Sequence, residues 1–204
     1  MVQPDDLKIP ERFEHLRTLI SSERFLTMQG LGNEVPFFIC PYAPDEAVAM
    51  QKMVHQLERR LIGDGVRILT IDLYDLATEI LKKRGIWDRI LQAESQVAKD
   101  QLLELLQNVL DPETHLVPAM AEKMAQSPCD VLFITGVGEV YPYIRSHNVL
   151  NNLQSTAKSF PTVMFFPGKY THSLAAGASL ELFGLLHDDK YYRAFNIYHI
   201  EVSA

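Results

Sequence analysis

The sequence predicts an α/β fold of three layers: a mostly parallel sheet of about five strands, helices on both faces and a helical insertion at residues 87–126. Three observations predict it. Strand-like and helix-like apolar runs alternate through the first 85 residues. Residues 131–134 and 162–166 are nearly unbroken apolar runs, as in central strands covered on both faces. Residues 87–126 repeat only at helical spacing. At 204 residues and 47% hydrophobic, the chain is expected to form a single domain over 1–204 whose core needs no staples.

Taken in order, Phe13, Leu16 and Ile20 fall at helical spacing while Glu11, Arg12, Glu14 and Arg17 take the other face, which predicts an amphipathic helix. Gly30-Leu31-Gly32-Asn33 breaks the chain, and residues 35–40, with aromatic and β-branched side chains between Pro36 and Pro41, read as the first strand. Asp45 and Glu46 then complement a helix N-terminus, followed by Ala47, Met50, Val54, Leu57 and Leu61 at steps of three and four. Gly63-Asp64-Gly65 ends that helix. Residues 66–71 are a second strand closed by Asp72, and Leu76, Ala77, Ile80 and Leu81 mark a helix stopping near Gly85.

The insertion carries Ile90 and Leu91, then Leu102, Leu105, Leu106 and Val109, a break at Asp111-Pro112, and Val117, Met120, Ala121 and Met124. It reads either as a small lid or docking subdomain or as helices covering one face of the sheet. Residues 130–135 and 162–166 are the central strands. Ser179 is placed to cap a short helix using Leu182, Phe183 and Leu186, and residues 192–200 read as a last strand with Phe195, Ile197 and His199 on one side.

A net charge of −7 argues against a broad nucleic-acid-binding surface, which needs clustered Lys and Arg. Yet residues 140–180 contain no Asp or Glu, where an even spread would place about five, and Arg145, Lys158 and Lys169 make the window positive. The two cysteines, Cys40 and Cys129, read as reduced core residues. With no apolar leader in the first ten residues and no apolar run near the length of a membrane span, a cytoplasmic location is expected.

Ligands of open parallel sheets lie beyond the carboxyl ends of the strands, which directs attention to Tyr42, Asp72, residues 136–143 and residues 167–170. Gly136-x-Gly138 has Tyr141 where a dinucleotide fingerprint needs its third glycine, and Gly168-Lys169 is followed by Tyr170 rather than the Ser or Thr of a phosphate loop. The seven histidines show no metal-binding spacing, and Ser146 beside His147 is adjacency rather than a triad. Asp72, Asp75 and Glu79 can be drawn as a nuclease-like set, but the last two also describe a solvated helix face. No catalytic residue, metal or cofactor is assigned.

Arg145, Asn148 and Asn152 share one helical face, with His147 and Asn151 on the adjacent stripe and Ile144, Leu150 and Leu153 turned toward the sheet. This face suits an anion or acidic partner, or else a polar network within the fold. Candidate binding residues are therefore Gly136, Gly138, Arg145, His147, Asn148, Asn152, Lys169, Tyr170 and Arg193.

Several segments carry a resemblance. They are Ser22-Glu23-Arg24-Phe25-Leu26, Gly30-Leu31-Gly32-Asn33-Glu34-Val35-Pro36-Phe37, Ile71-Asp72-Leu73-Tyr74 and Gly136-Val137-Gly138-Glu139-Val140-Tyr141-Pro142. Further on come Arg145-Ser146-His147-Asn148-Val149-Leu150-Asn151-Asn152-Leu153, Phe165-Phe166-Pro167-Gly168-Lys169-Tyr170 and Tyr191-Tyr192-Arg193-Ala194-Phe195. In this order they resemble the BrxB family, small components of BREX bacteriophage-exclusion systems. A Ser-, Ala- and Gly-rich loop at residues 171–179 is longer than the family pattern. The resemblance implies a bacterial cytoplasmic protein acting with a PglX-type adenine methyltransferase, a PglZ-type phosphatase-superfamily protein and a BrxC-type ATPase. It brings no catalytic residue with it. The expected function is a non-enzymatic adaptor docking other BREX proteins, a PglZ-like partner favoured. The alternative is a nucleotide- or phosphate-binding domain, or enzyme, with a non-Walker site at the strand ends.

Overall fold

The computed structural model describes residues 7–29, 36–173, 177–187 and 194–200. The chain opens with helix α1 (Ile9–Ile20) and the single turn α2 (Glu23–Leu26), then strand β1 (Phe37–Tyr42), helix α3 (Ala47–Gly63), strand β2 (Ile68–Asp72) and helix α4 (Leu73–Lys83). The insertion supplies α5 (Trp87–Glu94), α6 (Lys99–Val109) and α7 (Val117–Gln126). Strand β3 (Val131–Thr135), helix α8 (Ser146–Leu153) and strands β4 (Thr162–Ser173), β5 (Gly177–Leu182), β6 (Leu186–His187) and β7 (Ala194–Asn196) follow.

Five strands pair in parallel in the order β2-β3-β4-β1-β7, with β5 and β6 added antiparallel to the far end of β4. Successive strand residues point to opposite faces, so each unbroken apolar run serves two cores. Phe37 and Ile39, Leu132 and Ile134, and Met164 and Phe166 bury against α4, α7 and α8. Phe38 and Cys40, Val131 and Phe133, and Val163 and Phe165 bury against α1 and α3. Each large apolar side chain so buried contributes about 1.5–3 kcal/mol. These two faces therefore carry the fold.

The predicted α/β architecture is what forms, and several local readings are corrected. Arg12, placed on the outer face of α1, is 3% exposed and reaches Glu46 at 2.8 Å, tying α1 to the start of α3. Residues 167–170 do not follow a strand; they lie within β4, which leaves β1 after the Tyr42–Pro167 pair and joins β5 from the Gly168–Leu182 pair onward. The helix predicted after Ser179 is strand β5, because its two apolar positions, Leu180 and Leu182, alternate onto the core. The last strand ends at Asn196, whose side chain accepts from the Tyr198 amide and turns the chain into a 3-10 turn, Ile197–His199.

Of the residues read as a loop at 171–179, those up to Ser173 belong to β4 and those from Gly177 to β5. Cys40 is buried and Cys129 only half-buried, and both are free thiols. The break at Gly30-Leu31-Gly32-Asn33 and the segment Tyr191-Tyr192-Arg193 lie outside the described residues. No helix among the described residues is long and apolar enough to cross a membrane.

Candidate functional site

The last residues of β1, β2 and β3, Tyr42, Asp72 and Thr135, line one cleft of about 690 Å³. Because β2 is an edge strand, α3 from one face of the sheet and α4 from the other both reach this cleft. Helix α3 lends Met50, Val54 and Glu58, α4 lends Asp75, Leu76 and Glu79, α7 lends Lys123, and the loop after β3 lends Gly136 and Glu139.

Asp72 organises the site. As the N-cap of α4, its Oδ1 accepts from the amides of Tyr74 at 2.9 Å and Asp75 at 3.1 Å, two donors that the first helical turn leaves free. Its Oδ2 accepts from the Thr135 hydroxyl at 2.8 Å, which locks the end of β2 to the end of β3. Gly136 follows at φ +72°, and a Cβ there would stand 2.6 Å from Asp72 Oδ1. Glycine is required here by close approach to a carboxylate of the protein itself.

Helix α4 then points Asp75 and Glu79, four residues apart, into the same cleft. Glu79 pairs with Lys123 at 2.7 Å. The carboxylates of Glu58, Asp75 and Glu139 have no hydrogen bond or ion pair among the described residues. Burial, and then the charges of Asp72 and Asp75, hold the Glu139 carboxyl above its ordinary range. Burial first, and then the charges of Cys40, Glu139 and Asp72, push the Tyr42 phenol up to about 12. The cleft is acidic over an apolar floor, so its field favours a cation and opposes a phosphate. Among the described residues no three His, Cys, Asp or Glu side chains are grouped to hold a metal ion.

The candidate residues read from the sequence are dispersed. Gly136 lines the cleft; Arg145, His147, Asn148, Asn152, Lys169 and Tyr170 do not. A Cβ on Gly138 would stand 3.0 Å from both Phe183 and Pro167, so this glycine lets the loop after β3 pack on the turn after β5. Arg145 and Asn148 are exposed at the start of α8, and the Asn152 side chain donates to the Asn148 carbonyl at 2.8 Å. His147, expected beside them, is buried with Ser146, Val149 and Leu150 and faces inward. Lys169 is exposed on β4, Tyr170 is buried with its hydroxyl donating to the Ala194 carbonyl, and Arg193 lies outside the described residues.

Sequence reasoning missed Glu58 and Lys123 and, although residues 136–143 drew attention, did not single out Glu139; the three reach the cleft from separate elements. Only Glu139 had a signal, since it ends the Gly136-Val137-Gly138-Glu139 motif beyond a strand. Asp75 and Glu79, set aside as a solvated helix face, converge with Asp72 on the cleft.

Residues 69–197 match the family model described as BREX protein BrxB. The chain is 36% identical over 193 residues to a BREX protein BrxB of Bacillus cereus (strain H3081.97), covering 93% of this chain and 97% of that one. It is 27% identical over 186 residues to a BREX protein BrxB of Escherichia coli O9:H4 (strain HS), covering 91% and 90%. No solved structure matches it.

Proposed function

The chain belongs to the BrxB family of BREX proteins, and from that premise we propose that it is a non-enzymatic adaptor of a bacterial phage-defence complex. It docks other BREX proteins in the cytoplasm, a PglZ-like partner first among them. One observation carries the reading. Helix α6 contains four leucines and a valine but has no fully buried residue, and Leu105 is 39% exposed. Leu91 on α5, the helix it packs against, is 48% exposed, and Val97 between the two is 37% exposed.

An isolated helix of eleven residues is marginal in water, so α6 depends on packing for its stability. Leu102, Leu106 and Val109 supply part of it by leaning on the core. The exposed apolar side chains leave the rest to a partner, in the manner of a helical docking surface. Neither cysteine is an activated nucleophile to set against this: burial pushes the Cys40 thiol up to about 12 and raises the Cys129 thiol above its usual range.

Leu91→Glu with Leu105→Glu tests the reading. Both residues are exposed, so thermal unfolding is expected to stay close to the parent, while retention on an immobilised PglZ-like partner falls at least about tenfold. Undiminished capture of every BREX component, with normal phage plating, would sink it. The phosphate-site alternative predicts stabilisation by a nucleotide, about 2.7 kcal/mol at 100 times the dissociation constant. Because the cleft is acidic and Arg145 and Lys169 lie off it, no thermal shift is expected with or without Mg²⁺.

A further inference from the structure

The cleft at the β2 edge joins two chemistries. Its floor is apolar, built from Met50, Val54, Leu76 and Phe165, and its rim carries the unpaired carboxylates of Glu58, Asp75 and Glu139. The cations that face it are few. Lys123 is held by Glu79 at 2.7 Å, and the other basic side chain of the lining is the imidazole of His55. Val48, 66% exposed, adds an apolar side chain at the mouth. Three like charges around a partly desolvated groove repel one another, and a cation set among them removes that repulsion.

We propose that this cleft is a docking groove for an arginine-bearing, net-basic segment of a partner protein. An arginine meets both demands of the site. Its methylene stem covers apolar floor while its planar fork engages two carboxylates at once. Thr70 and Ile71 of the edge strand β2 line the groove, so a segment laid there runs beside the end of the sheet. A second copy of this chain, at net charge −7, is opposed by the same field that attracts a basic segment. Phosphate-bearing ligands are opposed likewise.

The groove is separate from the exposed leucines of α5 and α6. Those helices pack on the sheet face opposite to α3, so the two sites stand or fall independently.

The test uses a fluorescein-labelled peptide alternating leucine and arginine, and a second peptide with every arginine replaced by glutamate, read by anisotropy against the full chain. The arginine peptide is expected to bind, and to weaken steeply as salt rises from about 50 to about 300 mM. Glu58→Gln, Asp75→Asn and Glu139→Gln together are expected to weaken it at least about tenfold. Glu23→Gln, Glu94→Gln and Glu113→Gln together remove the same charge from outside the cleft and are expected to leave binding unchanged. Asp75→Asn alone, exposed on α4, is the substitute should the cleft triple fail to fold.

Equal binding of the glutamate peptide, no loss in the cleft variants, or equal loss in the outside triple would each overturn the proposal. The last of these would trace the attraction to net charge. Leu91→Glu with Leu105→Glu is expected to keep peptide binding intact, which separates a failure here from a failure of the helical docking surface.

Discussion

Gly168→Ala is expected to lower stability by at least about 4 kcal/mol, among the largest losses a single methyl group can cause. An ideal Cβ at this position would stand 2.1 Å from the backbone carbonyl oxygen of Glu181, with the Phe183 amide and the Phe166 ring at 3.0 Å. No rotamer relieves a clash made by Cβ itself. Either β4 bends or β5 moves away, and each route has its own cost. Bending disturbs the strand where it passes from parallel pairing with β1 to antiparallel pairing with β5. Moving β5 uncovers Leu180, Leu182 and Tyr170, all buried in the core. For a chain of this size each kcal/mol lost lowers the melting temperature by about 2–4 °C, so a fall on the order of 10 °C is expected in a thermal melt. A variant melting within about 2 °C of the parent would refute the close approach.

That same junction shows where the sequence stops being legible. Helices α1 and α3 were readable because one apolar stripe at steps of three and four decides both periodicity and burial, as Met50, Val54, Leu57 and Leu61 illustrate. Central strands β3 and β4 were readable because both faces are covered. Residues 179–186 were not. Leu182, Phe183 and Leu186 fit a helical step, while Leu180 and Leu182 fit a strand step, and a window this short satisfies both. What decides is remote: Pro167, which usually argues against a central strand, sits where β4 changes partner, and the strand beyond it templates β5.

The site was legible at the strand ends and nowhere else. A general rule about parallel sheets pointed to Tyr42, Asp72 and Gly136, and all three line the cleft. The positive window at residues 140–180 drew attention away from the acids, because local composition cannot report which distant elements fold against a position. Glu58 comes from the crossover helix and Lys123 from the insertion, so only tertiary packing brings them to Asp72. On α8 the helical wheel put Arg145, Asn148 and Asn152 on one face and His147 on the adjacent stripe, but it cannot tell a buried polar stripe from an exposed one: Arg145 and Asn148 are exposed, and His147 went inward.

Gly136→Ala is expected to destabilise the protein by about 3 kcal/mol, and most of that loss should vanish when Asp72 is also replaced by Ala. Two costs combine. A positive φ of +72° costs a residue with a Cβ about 1–2 kcal/mol wherever it stands. The second cost belongs to Asp72 alone, whose Oδ1, Oδ2 and Cγ would lie 2.6, 2.8 and 2.9 Å from the new methyl group. That carboxylate cannot retreat freely, since it caps α4 through the Tyr74 and Asp75 amides and accepts from Thr135. Asp72→Ala by itself removes the cap, at about 1 kcal/mol, and leaves the methyl group at 136 room to fit. A double-mutant cycle in denaturant should therefore show a coupling of about 2 kcal/mol. If Gly136→Ala costs the same in both backgrounds, the glycine answers to its backbone angle only, and the close contact with Asp72 has no part in its choice. If the coupling is found, Asp72 is held between a cap and a glycine, and the orientation of Asp75 beside it is set by the fold before any partner arrives.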